Sequence, residues 1–434
     1  MRRLSTFAFL SICFILSALT FLTPREVFAD GDSWPPTYKE TVESHGRTFL
    51  WFTHGVAPEW GYPAPQTDRF AIRLPETGLG PHPLGVMLHS AGGGVDESIE
   101  SVAKTDGCDV YHVPSDFFTL HVDCLEHSPD DWWWGGLNPR LPMDDPQNLN
   151  RGGGDLRPVE KRILATINWV LDNYDIDRNR VYLCGDSMGG SGTLGLGLRH
   201  GDLFAAIKAN VPAGVLHAAN RLYFPPETVP EGVKIPDPPI CVDYSAPNDV
   251  WSIGHEILYE GMAERKYQIF GYWGNFGHAN AHSEINKVND LIDTFDWLSV
   301  RKNEAYPVFT HASTDSPLAW PDQENATEPG QVNAYFRWTV YEDSSERFEI
   351  ALRRTDEEVL GSKIFTPPAE STADVSVRRL QKFSVSPEEK IHWSFAGKQG
   401  TVTADENGLV TVPALKIVTV PAILTLTKET ESAE

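Results

Sequence analysis

Positive charge and cysteine are what this chain has least of. Lys and Arg number 36 against 60 Asp and Glu, a formal net charge of −24 over 434 residues. A surface so acidic repels phosphate, which argues against nucleic acid as a partner and against an anionic membrane surface. Past the first 29 residues no apolar run approaches the roughly 20 residues of a membrane-spanning helix, so no membrane insertion is expected there. The 5 cysteines lack the close pairs of a zinc site, so neither a metal nor another cofactor is expected. Carboxylates are plentiful, yet no spacing singles out two of them as a glycosidase pair.

What little basic and apolar clustering exists sits at the N-terminus. Arg2 and Arg3 precede an apolar run from Leu4 to Leu22, and Val27-Phe28-Ala29 offers small residues for cleavage. Residues 1–29 therefore read as a signal peptide, and the mature chain as secreted or periplasmic. Removing three positive charges and one negative moves the net charge from −24 to −26. Cys13 lacks the small preceding residue of a lipid-anchored leader. An oxidising compartment would permit a Cys108–Cys124 disulfide, whereas Cys184 and Cys241 sit in apolar runs as small buried side chains.

Residues 30–310 alternate strand and helix. Arg47–His54, Asp68–Leu74 and the wholly apolar Pro83–His89 read as strands, followed by a short helix near Glu97–Lys104 and a strand around Thr119–Asp123. Pro158 suits a first helical turn, and Ile163, Ile167, Val170 and Leu171 recur at helical spacing. Strands at Arg180–Cys184, Phe204–Asn210, Ile240–Tyr244 and Lys266–Trp273 alternate with helices at Met188–His200, Ile253–Glu264 and Glu284–Val300. Such alternation predicts an α/β class with a mainly parallel sheet covered by helices on both faces. Residues 311–330 are proline-rich and aperiodic, a linker. From 331 to 434 short strands recur without helical spacing, which predicts a small C-terminal β-sandwich-like domain.

The chemistry concentrates in Gly185-Asp186-Ser187-Met188-Gly189. It follows the strand-like Val181–Cys184 and precedes a glycine-rich helix, so Ser187 would stand on a sharp strand-to-helix turn with its hydroxyl exposed. A serine nucleophile needs a base, and the base needs an orienting acid. His278, after the last strand, is the candidate base, with His282 as its rival. Asp249, after the strand Ile240–Tyr244, is the candidate acid, with Asp243 the weaker alternative inside that strand. A developing oxyanion needs donors, and His89-Ser90-Ala91-Gly92-Gly93-Gly94 follows the apolar third strand. Its glycines let amides face inward, so Ala91 N–H and Met188 N–H form the candidate hole.

The stretch from about Arg47 to Val300 resembles an α/β-hydrolase. It is most similar to the secreted branch of polyhydroxybutyrate depolymerases, feruloyl and acetylxylan esterases, and dienelactone hydrolase and prolyl oligopeptidase relatives. Asp177-Arg178-Asn179-Arg180-Val181-Tyr182-Leu183, the Gly185–Gly190 run and Asp202-Leu203-Phe204-Ala205-Ala206 carry that likeness. It implies Ser187 as nucleophile, His278 as base and Asp249 as acid. Ser90 departs from the glycine usual in the oxyanion loop, and no His-Gly precedes Asp249.

Two insertions follow strand ends, where such a fold builds its pocket. Leu125–Gly154 carries Trp132-Trp133-Trp134, and Ala213–Pro239 carries His217, Tyr223 and Phe224. The tryptophans either stack on sugar or aromatic acyl groups or pack the insertion onto the domain. The expected activity is cleavage of a small or polymeric carboxylic ester, on carbohydrate-linked, aromatic or polyester substrates. Two competitors stay open: a peptidase of prolyl-oligopeptidase type, which lacks room here for an N-terminal propeller, and a non-catalytic binding or adhesion protein. The C-terminal domain could contact carbohydrate or a partner.

Overall fold

The computed structural model of the protein describes residues 33–103, 113–124, 132–134, 156–219, 237–278, 294–320, 328–355 and 365–428. The expected signal peptide, Cys108 with its pairing, Tyr223, Phe224 and His282 lie outside them.

A 10-stranded sheet organises the first part of the chain, in the order β1-β2-β3-β5-β4-β6-β7-β8-β9-β11. Its centre is parallel: β5 (Phe118–Val122), β4 (His82–Leu88), β6 (Ile176–Asp186), β7 (Ala206–Asn210), β8 (Ile240–Ser245) and β9 (Ile269–Trp273). An antiparallel wing of β1 (Thr37–Ser44), β2 (Arg47–Gly55) and β3 (Thr67–Arg73) joins it through β3 and β5. β1 has no counterpart in the sequence expectations. Its TYKETVES is exposed or half-buried throughout, so it lacks the alternation that marks a strand.

Alternation inside the parallel strands builds two cores. Leu84, Val86 and Leu88 of β4 face one, with Val181 and Leu183 of β6. That face is covered by α2 (Pro158–Asn173), α3 (Met188–Gly197), α4 (Val215–Ala219) and α5 (His255–Glu264). Met87, Tyr182 and Cys184 face the other core, where Phe295 and Trp297 meet Tyr306 and Tyr335. α1 (Val95–Ala103) lies elsewhere, with Val95 and Ile99 against Phe49 and Ala71 of the wing. The helix expected to run to Val300 differs at its end, where Trp297–Ser299 form a single 3-10 turn.

The C-terminal part is two antiparallel sheets around their own core. One contains β10 (Tyr306–Thr310), β14 (Ser371–Arg378) and β17 (Thr411–Ile417). The other runs β12 (Phe336–Asp343), β13 (Arg347–Arg354), β18 (Ala422–Lys428), β15 (Lys390–Phe395) and β16 (Lys398–Thr403). The expected joint at 311–330 therefore does not separate the two parts cleanly. β10 precedes it yet pairs with β14, while β11 (Gly330–Val332) returns to the large sheet beside β9. Arg379 fastens the parts further, donating to the carbonyls of Ala205 and Phe204 at 2.8 and 2.7 Å.

Candidate active site

Four loops leave the same edge of the parallel sheet, after the C-terminal ends of β4, β6, β8 and β9. That edge is where an open α/β sheet leaves room for a ligand. Ser187 follows β6 with φ 55° and ψ −111°, a conformation L residues avoid. Close packing holds the turn. A Cβ on Gly185 would lie 2.3 Å from the backbone of Gly189, and one on Gly189 would lie 1.9 Å from the Leu88 carbonyl oxygen. The glycines flanking the serine are thus a steric requirement, and they bring α3 against the end of β4.

Ser187, His278 and Asp249 meet. Ser187 Oγ is 2.7 Å from His278 Nε2, and His278 Nδ1 is 2.6 Å from Asp249 Oδ2. With the carboxylate accepting, Nδ1 carries the proton and Nε2 is free to accept from the serine hydroxyl. The hydrogen bond to Asp249 raises the His278 pKa above its ordinary value, against the opposing effect of burial. The Asp249 side chain is 1% exposed and that of His278 30%, so the carboxylate is sealed and the imidazole reachable.

The acid loop is itself braced. Asp249 Oδ1 accepts from the Trp251 amide at 2.9 Å, and its carbonyl accepts from the Ser252 hydroxyl at 2.7 Å. The indole N–H of Trp320, just before residue 321, donates to Ser252 Oγ at 2.8 Å. Asn248 Oδ1 accepts from the Gly277 amide at 3.0 Å and so ties the acid loop to the histidine loop. Asp243 stands apart from this relay. Its Oδ2 accepts from the Tyr259 hydroxyl at 2.6 Å and lies 3.3 Å from His255 Nε2, inside a wholly buried cluster.

Of the expected oxyanion donors, Ala91 lies exposed in the turn after β4 and Met188 is the buried first residue of α3. The loop around Ala91 is pinned at several points. His89 Nδ1 donates to the Ser90 carbonyl at 2.8 Å, and Gly93 N donates to the same oxygen at 3.1 Å. The Ser90 hydroxyl reaches across to the nucleophile turn and donates to Asp186 Oδ2 at 2.8 Å. Burial pushes the Asp186 carboxyl up to about 6, against the lowering effect of the Ser90 hydrogen bond.

The tryptophans divide. Trp133 and Trp134 are 0% exposed, so neither offers a face to a substrate, which corrects the substrate-binding expectation for both. Trp133 donates to the His89 carbonyl at 3.3 Å and fills the space left by Gly192, while Trp134 donates to Ser191 Oγ at 3.3 Å over Gly195. They wedge between the loop after β4 and α3. The two glycines of the helix were the available sign, since a bulky ring needs a hole opposite it. Trp132 is 6% exposed, with its ring 6.1 Å from that of Trp251. Trp251, which the sequence reading did not single out, is 37% exposed and its ring is 6.3 Å from that of His278. Val250 and Ile253 flank it at 67% and 42% exposure, an apolar rim beside the base.

No family model and no curated protein matches the chain. Solved structures similar to it include an S-formylglutathione hydrolase from Agrobacterium tumefaciens, 13% identical with a TM-score of 0.40, covering 59% of this chain and 97% of that one. A thermostable esterase is 23% identical with a TM-score of 0.37, covering 54% of this chain and 56% of that one. A ferulic acid esterase from Anaeromyces mucronatus, in complex with ferulic acid, is 15% identical with a TM-score of 0.35, covering 56% and 83%. At such scores the reading of this chain rests on its own strands and side chains. The mostly parallel sheet, the strained serine turn after β6 and the acid and histidine loops after β8 and β9 make this an α/β-hydrolase fold.

Proposed function

We propose that the protein is a serine hydrolase that cleaves carboxylic esters through an acyl-enzyme. The observation that carries this is the continuous relay from Ser187 Oγ through His278 to Asp249, at 2.7 and 2.6 Å. Ser187 attacks the ester carbonyl while His278 Nε2 takes its proton. Asp249 holds the imidazole in the tautomer that can accept and stabilises the imidazolium that forms. The amides of Ala91 and Met188 receive the oxyanion. His278 returns the proton to the leaving alcohol, then takes one from water, whose attack frees the acid and regenerates Ser187. The steps draw on side chains, backbone amides and water.

The exposed Val250, Trp251 and Ile253 beside His278 support a substrate with an apolar or flat portion, among which aromatic acyl, carbohydrate-linked and polyester groups are the classes to try. We further infer that the chain acts outside the cytoplasm, on the strength of residues 1–29. The test is hydrolysis of short-chain p-nitrophenyl esters and methyl ferulate, with fluorophosphonate labelling, by the wild type and Ser187→Ala. Loss of the nucleophile is expected to lower kcat by about 10³-fold or more and to abolish labelling. Equal activity in the two proteins would put the nucleophile elsewhere, and an unreactive wild type would favour a binding protein.

A further inference from the structure

Two loops meet across the space above β4 and β6, and one side chain from each joins them. Ser90 Oγ donates to Asp186 Oδ2 at 2.8 Å and lies 3.2 Å from the Asp186 carbonyl oxygen. Ser90 immediately precedes Ala91, and Asp186 immediately precedes Ser187, so this is a direct fastening between the oxyanion loop and the nucleophile. Hydrogen bonds within the loop set the tilt of the Ala91 amide, because the Ser90 carbonyl of the same peptide unit accepts from His89 Nδ1 and Gly93 N. What ties that unit to the nucleophile turn is the Ser90 side chain.

Asp186 is an unusual choice for a merely structural partner. Its Oδ1 is buried and has no hydrogen-bond partner among the described residues. A buried carboxylate held by a single hydroxyl costs stability relative to a neutral residue of the same shape. His278 and Glu97 are the charged groups that act on it, the first favouring its ionised form and the second opposing it.

We propose that Ser90 and Asp186 are a positioning pair, which clamps the oxyanion loop to the nucleophile turn and so holds the Ala91 amide on the developing oxyanion. The proposal rests on the hydrolase reading of Ser187 and adds to it a device that acts on the transition state, where misplacing a donor lowers kcat more than it raises KM. A hydroxyl donating to a carbonyl-type oxygen is all the clamp requires. Asn at 186 keeps both acceptors for it, Ala at 186 leaves only the backbone carbonyl at 3.2 Å, and Ala at 90 removes the donor altogether.

The experiment compares Ser90→Ala, Asp186→Asn, Asp186→Ala and the double alanine variant with the wild-type full chain. Three quantities are read: the rate of Ser187 phosphonylation by a fluorophosphonate, kcat and KM on p-nitrophenyl acetate, and thermal unfolding. Ser90→Ala is expected to lower both kcat and the labelling rate by about tenfold or more, with KM within about threefold. Asp186→Asn should stay within about threefold of the wild type and unfold no earlier. Asp186→Ala should fall between Asp186→Asn and Ser90→Ala, since the backbone carbonyl still accepts, and the double variant should be no slower than Ser90→Ala, because the two residues act as one unit. Wild-type kcat and labelling in Ser90→Ala overturn the clamp while leaving the hydrolase reading intact, as do losses that multiply in the double variant. Should Asp186→Ala fail to fold, Ser90→Ala with Asp186→Asn still decides, since neither removes a buried side-chain volume. Activity that survives Ser187→Ala overturns the hydrolase reading and the clamp with it.

Discussion

Two histidine–carboxylate pairs lie on either side of one loop, and they have opposite fates. His278 and Asp249 sit after the ends of β9 and β8, with the histidine 30% exposed and in contact with a serine hydroxyl. His255 and Asp243 sit below them, both 0% exposed. The second pair is closed by the Tyr259 hydroxyl and by the Trp320 ring, stacked 4.6 Å from His255. Burial, first, and the nearby Asp243 push the Tyr259 pKa well up, so that hydroxyl keeps its proton and stays a donor. The residue types are the same in both pairs. What separates a relay from a prop is the third partner and whether a substrate can reach the histidine.

Alanine in place of each histidine breaks the comparison most directly. His278→Ala is expected to cost about 10³-fold or more in kcat through loss of the base, and to lower the unfolding temperature less than His255→Ala does, because its side chain is partly exposed and leaves no sealed cavity, although the buried Asp249 loses a partner. His255→Ala should do the reverse. It opens a cavity beneath Trp320 and strips one partner from a buried carboxylate, a cost of about 2–4 kcal/mol in unfolding, with kcat of the folded protein within about fivefold. Matched esterase assays and chemical denaturation read both, and a His255→Ala variant as dead as His278→Ala would dissolve the distinction.

A pH series sharpens it. His278 holds its proton more tightly in the folded chain than in the unfolded one, chiefly through the Asp249 hydrogen bond. The pairing therefore contributes stability fully below the unfolded pKa, about 6.5, and that contribution is lost as the pH rises through the raised folded value. Catalysis follows the opposite course, since only the neutral imidazole can take the serine proton. Asp249→Asn keeps an acceptor but removes the charge. It should lower kcat by about 10²–10⁴-fold and move the acid limb of the residual kcat/KM to lower pH. Asp243→Asn should leave that limb where it is. A limb that moves with Asp243 instead would make that residue the orienting acid.

That Ser187, Asp249 and His278 lie at neighbouring strand ends was legible because strand ends leave local marks. The flanking glycines of Ser187, the buried Val181–Cys184 strand and the order of serine, acid and histidine along the chain are all short-range features. Asp243 was recognisably the weaker acid, being inside β8, but nothing local announced Tyr259 and His255 as its partners, one helix away. Trp133 and Trp134 show the limit more sharply. Their burial depends on Gly192 and Gly195 of α3 standing opposite, a fact of packing between segments far apart in sequence. Which sheet the strands at the two ends of residues 311–330 join was hidden for a related reason. β10 is a fully buried YPVFT and β11 a three-residue GQV too short to carry a pattern, and pairing partners at distant positions decide which sheet each joins.

The smallest effect concerns what joins the two pairs. Trp320 stacks on His255 and, through its indole N–H, donates to the Ser252 hydroxyl that in turn donates to the Asp249 carbonyl. Trp320→Phe keeps a ring beside His255 but deletes the donor and part of a buried bicyclic ring. Ser252 Oγ still has its hydrogen to give to Asp249, so the relay itself loses nothing. The acceptor side of the hydroxyl goes unpaired in a buried site and a small cavity opens, together costing about 1–3 kcal/mol. Unfolding should therefore occur slightly earlier, while kcat stays within about threefold. If Trp320→Phe instead moved the acid limb of kcat/KM, the brace and the relay would be one coupled network, and the separation between the working pair and the sealed pair would have to be drawn beyond Ser252 rather than at it.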